Sequence, residues 1–175
     1  MSNFQLDKVH SSITFQVKHL MVSKAKGEFN QFDVEVEGDV DQLESAKVKV
    51  TVQAASVDTK NEDRDNHLRS GDFFDVENFP AITFVSDSIK KVSEDEYEVT
   101  GQLTIKGVTN KETFKVEFNG KSKNPMDGSI VAGFDVEGKI NREDYGLTWN
   151  AALETGGFLI GKDVKLLGSF EFVVS

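Results

Sequence analysis

The chain has 175 residues, of which 38% are hydrophobic and 29% charged, a composition typical of globular proteins and unlike that of disordered or collagenous chains. It contains no cysteine, which excludes disulfides, thiolate nucleophiles and cysteine-ligated metal centres. The net charge of -10 disfavours nucleic acids and anionic membrane surfaces as partners, so we expect no nucleic-acid binding.

The amino terminus shows no basic segment followed by an apolar run of signal-peptide length. Uninterrupted apolar runs such as those at residues 158–160 and 172–174 fall far short of the roughly 20 residues that a membrane helix needs. No linker-like segment divides the chain. The sequence as given therefore predicts one domain over residues 1–175, located in the cytoplasm and without stable membrane insertion.

Period-two alternation of apolar and polar residues dominates the chain, and it places apolar side chains on one face of each strand. The first clear example is Ile13, Phe15 and Val17, whose neighbours are polar. The pattern continues at Phe32–Val36, Ala46–Val52, Ile82–Phe84, Tyr97–Ile105, Phe114–Phe118, Ile130–Ile140 and Val164–Phe172. These segments predict about eight or nine strands.

One α-helix is predicted from Lys60 to Ser70. Thr59 and Glu62 have the spacing of a capping box, and Gly71 suits the end of the helix. Along the helix, the i,i+4 spacing predicts two weak ion pairs, Asp63 with His67 and Asp65 with Arg69.

This helix is polar on almost all sides, because Leu68 is its one apolar residue. Core burial of its own side chains cannot hold it in place. We therefore expect Phe73, Phe74 and Phe79, just downstream, to position the helix across one end of the strand assembly.

Many antiparallel strands with a single apolar face leave exposed edges unless the sheet closes on itself or pairs with a second sheet. The predicted fold is all-β, an antiparallel closed barrel of about eight strands with one polar α-helix at about residues 60–70 near one end. A flattened sandwich is the alternative.

The inward face of this barrel is rich in phenylalanine, since the chain has 14 Phe against 2 Tyr and 1 Trp. An eight-stranded barrel is either filled by its side chains or wide enough for one small ligand, and both outcomes require an apolar interior. Small residues occur in register with the apolar positions, where they bend strands or leave room inside; bending is the favoured interpretation for Gly38, Gly101, Ala132, Gly138 and Gly168.

Titratable residues concentrate between positions 60 and 75, and His67 with Asp63 or Asp65 is a candidate acid–base pair. The two carboxylates are two residues apart on a helix and diverge by about 200°, so they do not suit a paired-carboxylate mechanism. The three histidines, His10, His19 and His67, have no metal-ligand spacing. We predict neither a metal nor another cofactor.

Five motifs, in the same order, resemble the YceI-like family. They are Asp7-Lys8-Val9-His10-Ser11, Ser56–Thr59 with Arg64–Leu68, Asp72-Phe73-Phe74-Asp75 with Phe79-Pro80, Gly101–Thr109, and Arg142-Glu143-Asp144-Tyr145-Gly146. The resemblance covers essentially the whole chain. It implies a lipocalin-like barrel that binds a long amphiphile, such as a polyisoprenoid or a fatty-acid derivative, and it implies no catalytic reaction.

The alternation and the resemblance together predict which residues contact such a ligand. The expected cavity lining is Phe15, Val17, Val50, Phe84, Leu103, Ile105, Phe114, Val116, Phe118, Phe134 and Phe170. The basic residues within or beside the matched motifs, which suit a phosphate or carboxyl head group, are His19, Arg64, His67, Lys106 and Arg142. A structural role for Arg64 and Arg142, through ion pairs with neighbouring acids, is the competing interpretation.

Three functions therefore remain open at the level of sequence. The leading hypothesis is a non-enzymatic carrier of a long-chain lipid or isoprenoid. The first alternative is a small-molecule acid–base enzyme that uses His67 with Asp63 or Asp65 at the barrel mouth. The second is a dry-cored interaction module that forms a homodimer through an edge strand or an exposed face.

Overall fold

The structure is a computed structural model that describes residues 2–20, 22–151 and 159–175. It contains one α-helix, α1 (Glu62–Arg69), and short 3-10 turns at Ala54–Ser56 and Arg142–Tyr145. The strands are β1 (Ser2–Leu6), β2 (Ser12–His19), β3 (Ser23–Phe29), β4 (Phe32–Asp39), β5 (Gln42–Gln53), β6 (Val57–Asp58), β7 (Ala81–Lys91), β8 (Glu96–Ile105), β9 (Val108–Lys123), β10 (Ile130–Asn141) and β11 (Ile160–Val174).

Eight strands close into an antiparallel barrel in the order β1-β4-β5-β7-β8-β9-β10-β11, and β1 completes the ring by pairing with both β4 and β11. The predicted closed barrel is confirmed. β2 pairs with the same edge of β11 as β1 does, and β3 and β6 extend the sheet from β2. The structure has more strands than predicted because short or polar segments such as β3 and β6 carry no apolar alternation.

The alternating residues face the barrel interior as the sequence predicts. Phe15, Val34, Phe84, Leu103 and Phe114, from five different strands, are all less than one-tenth exposed. Their neighbours along the strands are polar, apart from Val85, and are half-buried or exposed. One apolar cluster follows the interior of the barrel, and a smaller one lies around Val40, Ala132 and Val174.

The helix begins two residues later than predicted and has a different N-cap. Asn61 caps it, since its side-chain oxygen accepts a hydrogen bond of 3.1 Å from the backbone N–H of Arg64. The capping box of Thr59 and Glu62 is therefore wrong. Lys60 adopts a left-handed conformation (φ 63°) between Thr59 and the cap, which removes the threonine from the helix terminus.

The two predicted ion pairs along α1 are also wrong, because tertiary partners take the same side chains. Asp65 accepts hydrogen bonds from Thr59, and His67 Nε2 lies 2.9 Å from Oδ2 of Asp72. Arg69 donates to the backbone carbonyls of residues 55 and 57. Exposed i,i+4 pairs contribute too little free energy to compete with such contacts. No helix among the described residues is long and apolar enough to span a bilayer.

The sequence favours strand bending as the role of the inward glycines. In the structure, three of them instead leave room for phenylalanine rings. A Cβ at each position would collide with the ring of a neighbouring residue; the pairs are Gly101 with Phe84, Gly138 with Phe114, and Gly168 with Phe170. These rings therefore lie against the wall. At Gly101 the facing strand also shifts register between Ser86 and Ser88, so bending contributes there as well.

Candidate functional site

A cavity of about 670 Å³ runs through the barrel interior. Its wall is formed by inward apolar residues of β1–β5 and β7–β11. The Phe rings that lie over glycines leave this space open. The interior is therefore hollow, which contradicts the dry-cored alternative.

Ten of the eleven predicted lining residues face this cavity. They are Phe15, Val17, Val50, Phe84, Leu103, Ile105, Phe114, Val116, Phe134 and Phe170. Phe118 lies outside the lining, where its ring stacks on Phe134 with 5.0 Å between centroids. Phe118 and Phe134 are direct cross-strand partners, and both pack against the smaller cluster of Val40, Ala132 and Val174.

Further residues line the cavity that the sequence analysis did not select. Tyr97 and Phe172 continue the alternation of their strands, so their position was accessible from the pattern. Leu147 and Trp149 follow the second 3-10 turn and belong to no strand among the described residues. Nothing in the alternation could have identified them.

The cavity opens to solvent beside α1. Lys18, Asn61, Asp63 and Arg64 line this end and are all exposed. Leu68, the one apolar residue of α1, also lines the cavity. The polar helix therefore flanks the barrel mouth, as the sequence analysis predicted.

Phe73, Phe74 and Trp149 form an aromatic border at the same end. The ring of Phe73 lies 5.6 Å from that of Trp149, and Phe74 makes an edge contact with Phe29 at 5.8 Å. His67 packs edge-on against both Trp149 (4.6 Å) and Phe73 (5.0 Å). These contacts hold the imidazole at the rim of the cavity.

Arg142 is a buried cation that lines the cavity, with only 3% of its surface exposed. Among the described residues its guanidinium donates hydrogen bonds to four backbone carbonyls, those of Leu147, Trp149, Ile160 and Gly161. Burial lowers the pKa of the guanidinium, and the nearby Glu143 carboxylate partly opposes this effect. An arginine remains charged in proteins, so a positive charge lies at this position.

Arg64 holds the segment that precedes α1. Its Nε donates to Oγ1 of Thr59 at 2.8 Å, and its Nη2 donates to the Thr59 carbonyl at 2.7 Å. Neither Arg64 nor Arg142 forms an ion pair with a carboxylate in the part of the chain that the structure describes. Both arginines therefore anchor backbone, and the Arg142 charge interacts with the nearby Glu143 carboxylate without forming a direct ion pair.

The other basic candidates have different surroundings. His19, at the end of β2, and His67 both line the cavity near its mouth. Lys106 does not: it lies in the two-residue turn between β8 and β9, where its Nζ donates to the carbonyl of Gly71 at 2.8 Å. The sequence indicated Lys106 because it lies within a matched motif, but its ammonium group binds this exposed carbonyl and does not line the cavity.

The structure does not bring His67 together with the carboxylates proposed for the acid–base alternative. The hydrogen-bond partner of His67 is Asp72, whereas Asp65 is buried and accepts from the backbone N–H and the hydroxyl of Thr59. Asp63 lies exposed at the mouth. Asp72 was not considered as a partner because it lies outside the helical i,i+4 pattern.

The model of the YceI-like domain matches residues 4–172. The chain belongs to the YceI-like family. A UPF0312 protein of Staphylococcus aureus strain MSSA476 is similar to this YceI-like protein, with 58% identity over 175 residues, which cover 100% of this chain and 99% of the relative.

Solved structures share the barrel of this YceI-like protein. The YCEI protein of Campylobacter jejuni is 34% identical, with a TM-score of 0.75 over 98% of this chain and 97% of that one. A polyisoprenoid binding domain from Saccharophagus degradans is 15% identical, with a TM-score of 0.69 over the whole of both chains. The second likeness is one of fold, since its sequence identity is low.

Proposed function

We propose that this protein is a non-enzymatic carrier that holds a long-chain amphiphile, such as a polyisoprenoid or a fatty-acid derivative, in the barrel cavity. The observation that carries the proposal is the cavity itself: a hollow of about 670 Å³ with an apolar wall that opens beside α1. Its cationic residues lie on the lining near this mouth. Such a gradient from polar to apolar matches a ligand with one polar end.

The tail of this ligand must be long for binding to be useful. Each buried methylene contributes about 0.8 kcal/mol, so a ten-carbon tail yields roughly 8 kcal/mol before costs. Association itself costs about 4–15 kcal/mol. A carrier of this design should therefore prefer tails well beyond ten carbons.

The head group would lie among His19, Arg64, His67 and Arg142 at the mouth. Neither arginine forms a direct ion pair with a carboxylate within the described residues, and guanidinium groups suit phosphate and carboxylate oxygens. An anionic head is attracted there even though the protein as a whole carries a net charge of -10. Lys106 is left out of this proposal because its ammonium group binds Gly71.

Family membership supports the same class of ligand. The Saccharophagus degradans domain is named for polyisoprenoid binding, and its barrel superposes on this chain. At 15% identity this likeness concerns the fold, so the argument for a lipid depends on the apolar cavity and its charged mouth.

The direct test is native mass spectrometry of gently purified protein, followed by exposure of delipidated protein to polyisoprenoid, fatty-acid and fatty-amide mixtures. We expect bound lipid in the first measurement and uptake in the second. Protein that carries no lipid and takes up none from any mixture would overturn the proposal.

A matched pair of substitutions locates the binding. Val50→Asp places a carboxylate in the cavity wall and should abolish uptake, because burying a charge beside a hydrocarbon tail is costly. Val85→Asp makes the same change on the neighbouring strand, where Val85 is 46% exposed, and should leave uptake unchanged. Circular dichroism establishes that both variants remain folded.

A further inference from the structure

The end of the cavity remote from α1 is closed by the turn between β4 and β5. β5 begins at this turn and leads towards β6 and α1 at its other end, so the turn and α1 lie at opposite ends of the barrel. Val40, in the turn, is buried against Ala132 and Val174. The turn therefore covers the barrel end.

Two further contacts hold the turn in this position. Nζ of Lys121, near the end of β9, donates to Oδ1 of Asp41 at 3.0 Å, and β9 lies across the ring from β4 and β5. At Gly38, which has a positive φ of 147°, a Cβ would lie 2.8 Å from Cα of Ala46, so β4 and β5 approach closely just before the turn. The ion pair to Lys121 ties this turn to the opposite side of the ring.

Inside this cover lies an aromatic floor formed by Phe4, Phe134 and Phe172. The Phe134 and Phe172 rings meet edge to face at 5.8 Å, and Phe4 meets Phe172 at 5.7 Å. All three line the cavity. Phe118, the cross-strand partner of Phe134 on β9, stacks on the Phe134 ring with 5.0 Å between centroids and so supports it.

We propose that the aromatic floor sets the maximum length of the bound tail, with Phe134 as the length-determining residue. This inference rests on the proposed function and specifies its ligand as a single-chain amphiphile with a tail of about 20 carbons. The cavity of about 670 Å³ holds roughly 20 groups of methylene size, if each fills about the 30 Å³ that a liquid water molecule occupies. Longer tails must leave part of their length outside the mouth.

Equilibrium binding of saturated fatty acids with 14 to 26 carbons tests the proposal. In the wild type, affinity should rise with each added carbon up to about 20 carbons and then stop rising, since further methylenes stay in water. Phe134→Ala removes the phenyl ring from the floor. The chain length at which affinity stops rising, called the break below, should therefore move by about four carbons to longer tails. Phe134→Leu, a smaller change that preserves more packing, should move it by about two.

The matched control is Phe114→Ala, which removes the same atoms from the side wall, where Phe114 packs against Phe84 at 5.2 Å. It widens the cavity without moving the floor, so it should shift the chain length at which affinity stops rising by clearly less than Phe134→Ala does. An unchanged break in both Phe134 variants, or an equal shift in Phe114→Ala, would overturn the assignment of the floor while leaving the carrier function intact. A wild-type protein that binds no fatty acid, polyisoprenoid or fatty amide would overturn the carrier function and this inference with it.

Discussion

Arg142 connects the second 3-10 turn to the residues around it through backbone contacts. Its guanidinium contacts the carbonyls of two adjacent segments, at residues 147 and 149 and at residues 160 and 161. A planar group with five donors can satisfy such a set of carbonyls, whereas an ammonium group cannot. Arg142 thus has a structural role in addition to the head-group contact proposed for it.

We expect Arg142→Met to lower the free energy of unfolding by about 2–4 kcal/mol, because buried carbonyls lose their donors. Arg142→Lys should recover only part of this loss. Urea unfolding followed by circular dichroism measures both. Arg64→Met is the comparison variant, and its loss should be below about 1.5 kcal/mol because Arg64 is exposed; similar losses for Arg64→Met and Arg142→Met would contradict the assigned role.

His10 forms an exposed cluster with two carboxylates where β1 and β2 meet β11. Its Nδ1 lies 2.8 Å from Oδ2 of Asp7 and 3.6 Å from Oε2 of Glu171. The hydrogen bond to Asp7, and next the charges of Asp7 and Glu171, raise the pKa of the imidazole. The same hydrogen bond is the largest cause that lowers the pKa of Asp7.

These pKa shifts predict a pH window for the contribution of this cluster to stability. A raised His pKa means that the contribution is complete below the unfolded-state pKa near 6.5 and is lost as the pH rises through the folded-state pKa. A lowered Asp pKa means that it is lost again when the pH falls through the folded-state pKa of Asp7, which lies below 3.8.

The melting temperature of the wild type should therefore exceed that of His10→Gln most clearly between about pH 4 and 6.5. The difference should shrink in alkaline buffer and at high salt, since the pair is exposed. Thermal melts of both proteins across pH 3 to 9 provide the measurement. A difference that is independent of pH would refute the ion-pair explanation.

At the scale of the element, α1 is held in place by buried polar contacts. Asp65 is 7% exposed and accepts hydrogen bonds from the backbone N–H of Thr59 at 2.9 Å and from its hydroxyl at 2.5 Å. Arg64 binds the carbonyl and hydroxyl oxygen of the same threonine. A helix with one apolar residue is thereby fixed beside the cavity mouth.

We expect Asp65→Ala to lower the free energy of unfolding by about 1–3 kcal/mol, because two donors of Thr59 lose their acceptor. Amide hydrogen exchange in α1 should also become faster than in the rest of the barrel. Asp63→Ala makes the same change at an exposed site of the same helix and should cost at most about 0.5 kcal/mol. Equal effects of the two substitutions would show that the buried contact does not anchor the helix.

At the scale of the whole molecule, the two ends of the barrel differ in chemistry. One end is covered by a turn over an aromatic floor, and the other carries the cationic residues and the polar helix. The cavity between the two ends stays open because phenylalanine rings lie against glycines of the barrel wall, as the Phe114 ring does at Gly138. For the amphiphile proposed as the ligand, this asymmetry predicts a single favoured orientation, with the tail towards the floor.

Much of this architecture was predictable from the chain. Alternation depends on residues two positions apart, so it identified the inward faces of strands such as β5, β8 and β9 without knowledge of their partners. The ends of α1 were predicted within two residues because the helix, too, is encoded by residues that lie close together in the chain.

Other features depended on partners distant in sequence and could not be predicted. Asn61 replaced Thr59 as the N-cap because Thr59 pairs with Asp65 in the folded chain. His67 forms a hydrogen bond with Asp72, which the turn after the helix brings close to it. Phe118 lies outside the cavity lining and packs with Phe134 against the cluster of Val40, Ala132 and Val174, a contact that alternation alone does not reveal.

The sequence by itself determined the all-β class, the apolar inner face, the polar helix and membership of the YceI-like family, because each is encoded in local periodicity or in short motifs. Only the tertiary structure decided that the barrel is hollow. Whether phenylalanine rings fill a barrel or lie against its wall depends on which glycine faces which ring across neighbouring strands, and strand register sets that pairing. The closed end likewise follows from a turn that meets β9 and β10 only after the ring has closed.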